Sequence, residues 1–238
     1  MPRTILAVYA HPDDETSSAG ALMAKYSAQG VAVHVITATR GELGSLGTGG
    51  TVIEREDLPK VREAEIRSVL AHYGLPGGPL FLDYRDQELK DADFEEVVGK
   101  ILAEMERVRP DVVLTFGPHG ISGHDDHVAL HEQTVAAFDR YRAANGGEPR
   151  LLYSAIPKDV AEGFGLKLDG PEGQPNVVVD VTDHWHFKVE GLRLYRSQED
   201  AQEFAQTIED RAWNTEVFHQ AYPPLPEGTV MRGLFGEG

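Results

Sequence analysis

The sequence predicts a single α/β domain of Rossmann-like architecture, a mostly parallel sheet with helices on both faces. Three observations carry that expectation. Continuous apolar, β-branched runs at 4–10 (TILAVYA), 31–38 (VAVHVITA) and 111–116 (DVVLTF) read as strands buried on both sides. Stretches with helical apolar spacing separate them, so strand and helix alternate along the chain. At 238 residues, 41% hydrophobic and 26% charged, the chain has the size and composition of one globular domain, with no internal repeat and no low-complexity linker.

The elements follow in order. After the first strand, Thr16, Ser17 or Ser18 caps a helix to about Gln29, and Gly30 stops it. After the second strand comes TRGELGSLGTGG, with five glycines between Gly41 and Gly50, a loop long enough to suggest function or mobility. Val61, Ala64/Glu65 and Val69/Leu70 repeat at helical spacing from about Glu54 to Tyr73, ending at Gly74. FLDY (81–84) is a candidate short strand. An amphipathic helix over Asp91 to Arg107 is stopped by Pro110. The strong strand 111–116 leads through GPHGISG into a helix from about 125 to 143. Strand-like runs recur at 151–156 and 176–181, then helical stretches at 184–197 and 199–213. A Pro-rich tail from about 222 to 238 is expected to dock on its own core or on a neighbouring subunit of a homo-oligomer.

Composition narrows the function. Lys and Arg number 22 against 39 Asp and Glu, a formal net charge of −17, and no basic run offsets it locally. Such a surface repels phosphate backbones and anionic membranes, so nucleic-acid partners are not expected. The first apolar run, only about seven residues, is too short for membrane insertion or a signal-peptide core, and a cytoplasmic protein is expected. Without cysteine there are no disulfides, thiolate metal sites or Cys nucleophiles. The glycine-rich loop contains no G-x-G-x-x-G, and no G-x-S-x-G elbow appears, so neither a dinucleotide fold nor a serine hydrolase is supported.

Chemistry concentrates in two polar clusters, each behind an apolar strand: A-H-P-D-D-E at 10–15 and S-G-H-D-D-H at 122–127. Ligand crevices of open α/β sheets lie beyond the C-terminal strand ends, so the clusters face one another if their strands are neighbours. Together they supply His11, Asp13, Asp14, His124, Asp126 and His127. Catalytic divalent metals take three imidazole or carboxylate ligands plus water, and a His/Asp/His set from both loops fits that count. The remaining Asp and His would then serve as general base and as acid or oxyanion stabiliser. Either cluster alone is equally well an acidic helix start with solvated histidines. Two of them, each following a buried strand, favour the metal centre.

These residues resemble the PIG-L/LmbE family of metal-dependent N-deacetylases. A-H-P-D-D-E stands intact at 10–15, and the partner motif G-H-P-D-H appears as G-H-D-D-H at 123–127. T-R-G-E-x-G at 39–44, R-x-x-E at Arg62 and Glu65, RPDVVLTFGPHGISGH at 109–124 and R-S-Q at 196–198 add weaker matches. The resemblance implies that His11, Asp14 and His127 hold one divalent ion, zinc foremost. It makes Asp13 the general base, His124 the oxyanion stabiliser or the acid for the leaving amine, and Asp126 the group that orients a histidine. It also implies a small N-acetylated sugar as substrate, with Arg40, Arg62 and Asp86 as candidate contacts. For Arg62 a helix-surface salt bridge, and for Asp86 loop solvation, remain alternatives.

Three positions depart from the family pattern. Asp125 replaces the usual Pro and is expected to add a carboxylate beside the site. Tyr195 stands where many relatives carry His in H-x-S-Q. Ser122 occupies a position that is Tyr in the thiol-sugar pathway deacetylases. Of the other histidines, His131 is expected to pack or support the site, while His184 and His186 are expected to be structural. Two other functions are compatible with the clusters: a metal-dependent phosphoesterase, and a non-catalytic protein that binds a sugar or metal on the same scaffold.

Overall fold

A computed structural model describes residues 3–236. Among them, eight strands join one sheet: β1 (Thr4–Tyr9), β2 (Ala32–Thr37), β3 (Leu80–Phe81), β4 (Val112–Thr115), β5 (Arg150–Ser154), β6 (Val177–Asp180), β7 (Thr215–Tyr222) and β8 (Met231–Arg232). Their spatial order is β3-β2-β1-β4-β5-β7-β6-β8. β1 and β4 are buried at every position, as their unbroken apolar runs require. They pair in parallel with Ile5 opposite Val112, so the two polar clusters leave neighbouring strand ends. From β1 the chain steps outward to β2 and β3, and from β4 it steps the other way to β5. The order therefore reverses between β1 and β4, the crevice where such sheets bind ligands.

The helices are α1 (Asp14–Ala28), α2 (Leu58–His72), α3 (Phe94–Val108), α4 (Asp125–Asn145), α5 (Lys158–Gly163), α6 (Trp185–Leu194) and α7 (Glu199–Arg211). α6 packs against α1, α2 and α7, whereas α3 packs on α4. β1–α1–β2 and β4–α4–β5 run in opposite directions across the sheet, and right-handed crossovers then place α1 and α4 on opposite faces. α1 begins at Asp14, ahead of the expected caps, because the chain turns sharply at Asp13 (φ 115°). It breaks at Ala19 (φ −146°), and the Glu216 carboxylate accepts from the freed Ala21 and Leu22 amides at 3.2 and 2.7 Å.

Three elements lie outside the sequence expectations, α5, β7 and β8. α5 is only six residues long. β7 is antiparallel to both β5 and β6 and buries Glu216, Phe218 and Gln220. Two of its three inward positions are polar, which defeats a pattern that looks for apolar alternation. The tail docks on the molecule's own core: β8 pairs with β6, Leu234 is fully buried, and the Phe235 ring meets Tyr26 edge-on at 5.4 Å. The end of that tail, 237–238, lies outside the described residues. None of the described helices is long and apolar enough to cross a membrane.

Candidate metal centre and active site

Three acceptor atoms converge beyond β1 and β4. His11 Nδ1 lies 3.2 Å from Asp14 Oδ2 and 3.2 Å from His127 Nε2, and His127 Nε2 lies 3.3 Å from Asp14 Oδ2. The opposite ring nitrogens are both engaged. His11 Nε2 faces Asp86 Oδ1 at 3.1 Å and Asp126 Oδ2 at 3.2 Å, while His127 Nδ1 faces the Gly120 carbonyl at 3.0 Å. Those acceptors hold the ring protons on the outer nitrogens, leaving two imidazole lone pairs and a carboxylate aimed at one point. Such a group is mutually repulsive without a cation among its members. Zinc bonds of about 2.0–2.2 Å at tetrahedral angles put donor atoms about 3.3 Å apart, so the triangle fits a divalent ion with the fourth position open.

Local sequence places each donor. His11 ends the run behind β1 and is buried, and its own amide donates to Asp14 Oδ2 at 2.8 Å. His127 lies in the first turn of α4 with its ring stacked on Phe116, centroids 4.0 Å apart. Gly120 (φ +62°) is required there, because a Cβ would come within 2.6 Å of the His127 Cβ. Two further groups of possible ligands share His11: one with His124 and His127, and one with Asp86 and Asp126 that is buried throughout. Asp126 is fully buried and already accepts from the Gln87 and Leu89 amides at 2.7 and 3.1 Å. It is built to hold the proton on His11 Nε2. Asp126→Asn is expected to weaken metal affinity about 10–100-fold, measured by competition with a chelator; unchanged affinity would remove its orienting role.

Asp13 and Asp14 are sequence neighbours with opposed environments. Burial pushes the Asp13 carboxyl well above the usual carboxylate range, against the pull of the Arg62 guanidinium 2.6 Å away. Burial would raise Asp14 too, but His127 and His11 hold it well below that range. Neighbouring titratable groups whose environments separate them in this way suit different tasks, an ionised ligand and a proton acceptor. His124 caps α4, its Nδ1 accepting from the Asp126 amide at 3.2 Å, so the proton belongs on Nε2. Burial, His11 and His127 lower its pKa.

Each of the three expected substrate contacts has a protein partner. Arg62 is 3% exposed and donates to Asp13, to the Gly41 carbonyl at 3.0 Å and to the Pro12 carbonyl. Gly41 (φ +63°) permits this, since a Cβ would fall 2.0 Å from the guanidinium. Asp86 is buried against His11 and accepts from the Leu43 amide at 3.0 Å, which corrects its alternative reading as a solvated loop residue. Arg40 is bound to Glu63 at 2.9 Å and Asp83 at 2.6 Å. Asp125 also departs from expectation: it turns outward to Lys90 as the first residue of α4 and adds no carboxylate to the centre.

One network was not assigned a role from sequence. Glu15 is fully buried, and its carboxylate accepts from Tyr195 OH and Thr16 Oγ1, both at 2.5 Å, and from the Asp13 amide at 3.0 Å. It clamps the left-handed backbone at Asp13, a conformation that costs free energy unless surrounding bonds impose it. Tyr195 thus meets the A-H-P-D-D-E motif through its glutamate. Ser197 donates to Glu65 at 2.5 Å, and Gln198 bonds Ser45 in both directions at 3.2 Å, tying α2 and the glycine-rich loop to the end of α6. In sequence, Glu15 reads as an ordinary first-turn acid, and only the A-H-P-D-D-E match marked it. His131 bonds the Phe116 carbonyl at 2.9 Å and faces Tyr153 edge-on, a packing role.

Two imidazoles and one carboxylate converging on one point, with a second carboxylate and a third imidazole alongside, are a donor set that fits a hydrolytic metal ion at the switch point of an α/β sheet. The chain belongs to the PIG-L family, whose model, described as GlcNAc-PI de-N-acetylase, matches residues 6–138. It is 32% identical over 250 residues to the 1D-myo-inositol 2-acetamido-2-deoxy-alpha-D-glucopyranoside deacetylase of Kineococcus radiotolerans, covering 83% of this chain and 69% of that protein. Among solved structures it is similar to a conserved protein from Thermus thermophilus, with TM-score 0.69 and 26% identity, over 93% of this chain and 96% of that one. It also resembles the 4-carboxy-2-hydroxymuconate hydratase of Pseudomonas putida, with TM-score 0.68 and 19% identity, over 96% and 100% of the two chains. That last likeness shows the fold alone. A hydratase on the same scaffold means that the reaction must be argued from the site.

Proposed function

We propose that this chain is a zinc-dependent N-deacetylase that hydrolyses the N-acetyl group of an N-acetylglucosamine-type sugar or conjugate. The observation that carries the proposal is the triangle of His11 Nδ1, Asp14 Oδ2 and His127 Nε2, with the buried Asp13 carboxylate beside it. Membership of the PIG-L family and the deacetylase among its relatives support the substrate class. His11, Asp14 and His127 would hold a divalent ion, which would supply Lewis acidity to the amide carbonyl and make water more acidic.

The chain's own groups do the rest. Asp13 takes a proton from the attacking water as its oxygen bonds to the carbonyl carbon. Arg62 fixes the Asp13 carboxylate in place. His124 Nε2–H stabilises the developing oxyanion, and the proton that Asp13 took from water passes to the amide nitrogen, which leaves only once protonated. The C–N bond breaks, giving acetate and the free amine. Metal analysis of the purified protein is expected to give one divalent ion per chain. Acetate release from N-acetylglucosamine conjugates is expected to vanish with chelation and return with zinc. Two ions per chain with phosphate-ester turnover would favour the phosphoesterase instead, and ligand binding without any turnover would favour the non-catalytic protein.

A further inference from the structure

The metal centre opens on one side into a cavity of about 430 Å³. Asp13, Asp14 and His127 form one end of it. Beyond them the walls are predominantly apolar, led by Trp185, Phe204, Trp213, Phe164, Ile156 and Ile208 from α6, α7, the α5 region and the end of β5. Three further charged groups line the cavity: Lys188 and Glu216 are paired with each other at 2.9 Å, and Asp200 accepts from the Ala201 amide at 2.9 Å. Glu216 is further held by the amides at the break of α1. Ser122 and Ala155 are among the small residues of its wall. The space is roughly fourteen times the ~30 Å³ share of one water molecule, far beyond what the methyl of an acetyl group needs.

The two sides of the centre differ in chemistry. His124 does not line the cavity, whereas Asp13 does. Arg40 and Asp86, the expected sugar contacts, do not line it either, so the sugar belongs on the His124 side. The carbonyl substituent then points into the apolar space. Sugar hydroxyls would lose their water there with few free polar partners to replace it, a cost that hydrocarbon does not incur. We propose that this cavity is the acyl subsite of the centre, and that the chain prefers amides of medium-length apolar acyl chains over acetamides. The proposal rests on the hydrolytic reading for its geometry and extends it to the acid half of the substrate.

The test uses the zinc-loaded full chain with glucosamine carrying N-acetyl, N-butanoyl, N-hexanoyl or N-octanoyl groups, all of which release the same amine. kcat/KM is expected to rise by about fourfold per methylene until the cavity is filled. Both of the chain's tryptophans line the cavity, so intrinsic fluorescence reports occupancy directly. In the zinc-loaded Asp13→Asn protein, N-octanoylglucosamine should shift that emission at concentrations where N-acetylglucosamine does not. Ala201→Phe, and Ala155→Leu as a second filler should the first fail to fold, should lower the octanoyl-to-acetyl ratio of kcat/KM at least tenfold.

Flat or falling kcat/KM with chain length, with no chain-length dependence of the emission, overturns the acyl subsite and leaves the deacetylase standing. A gain that follows an octyl group at the anomeric carbon rather than on the nitrogen also overturns it, moving the apolar group to the sugar side. If no amine forms from any chain but N-octanoylglucosamine still shifts the tryptophan emission, the hydrolytic reading fails and the apolar site is upheld.

Discussion

Asp13→Asn is expected to lower kcat about 10²–10⁴-fold, the usual contribution of a positioned general base, while the protein keeps one divalent ion per chain. The asymmetry follows from the geometry. Asp13 is not one of the three converging donors, and its carboxylate is held by Arg62 rather than by His11 or His127. Asparagine keeps the size and still accepts from Arg62 through its carbonyl oxygen, but it cannot take a proton. KM should therefore change little while kcat falls. The measurement is steady-state acetate release alongside metal content on the same preparation. Full activity in the metal-loaded variant would dismiss Asp13 as the base, and loss of the ion together with activity would make it a ligand.

His127→Ala should give the complementary result, metal loss with the fold retained. The substitution removes one of three donors, and the ion would remain held only by His11 and Asp14 from a single loop. Metal content after dialysis is expected to fall from one ion per chain to near none, with kcat at background. His127 lies at the edge of the core with its ring on Phe116, so the stability cost should stay within the ordinary range of about 0.5–3 kcal/mol for a single substitution. Thermal unfolding of the two metal-free proteins measures this. A variant that retains a full complement of zinc would exclude His127 from the ligand set.

Much of the fold was legible because β1, β2 and β4 are written as nearly unbroken apolar runs, and β1 and β4 are buried along their whole length. β7 was not, since Glu216 and Gln220 point inward for reasons that lie elsewhere: a broken helix in α1 needs a carboxylate, and Arg150 bonds the Gln220 side chain at 2.7 Å. Its inward residues answer to partners distant in the chain. The donors of the candidate centre were legible because each set is contiguous, at 10–15 and 122–127, and carries side chains of unmistakable ligand chemistry.

The supporting residues were a different matter. Arg62 and Asp86 were visible as charged residues but not as buried partners of Asp13 and His11, because a guanidinium in a helix looks the same in sequence whether it faces water or a carboxylate. Tyr195 reads as a departure from the H-x-S-Q pattern, yet it closes a hydrogen bond to Glu15 across 180 positions. The sequence by itself determined the alternation of strand and helix, the exclusion of thiolate chemistry and the two clusters of candidate donor residues, all of which depend on composition and local spacing. Tertiary structure alone decided which nitrogens of His11 and His127 converge, that Asp13 pairs with Arg62 while Asp14 faces the two histidines, and that an apolar cavity adjoins the centre. Those properties arise from residues far apart in the chain brought within about 3 Å of one another, the distance at which hydrogen bonds set protonation and direction.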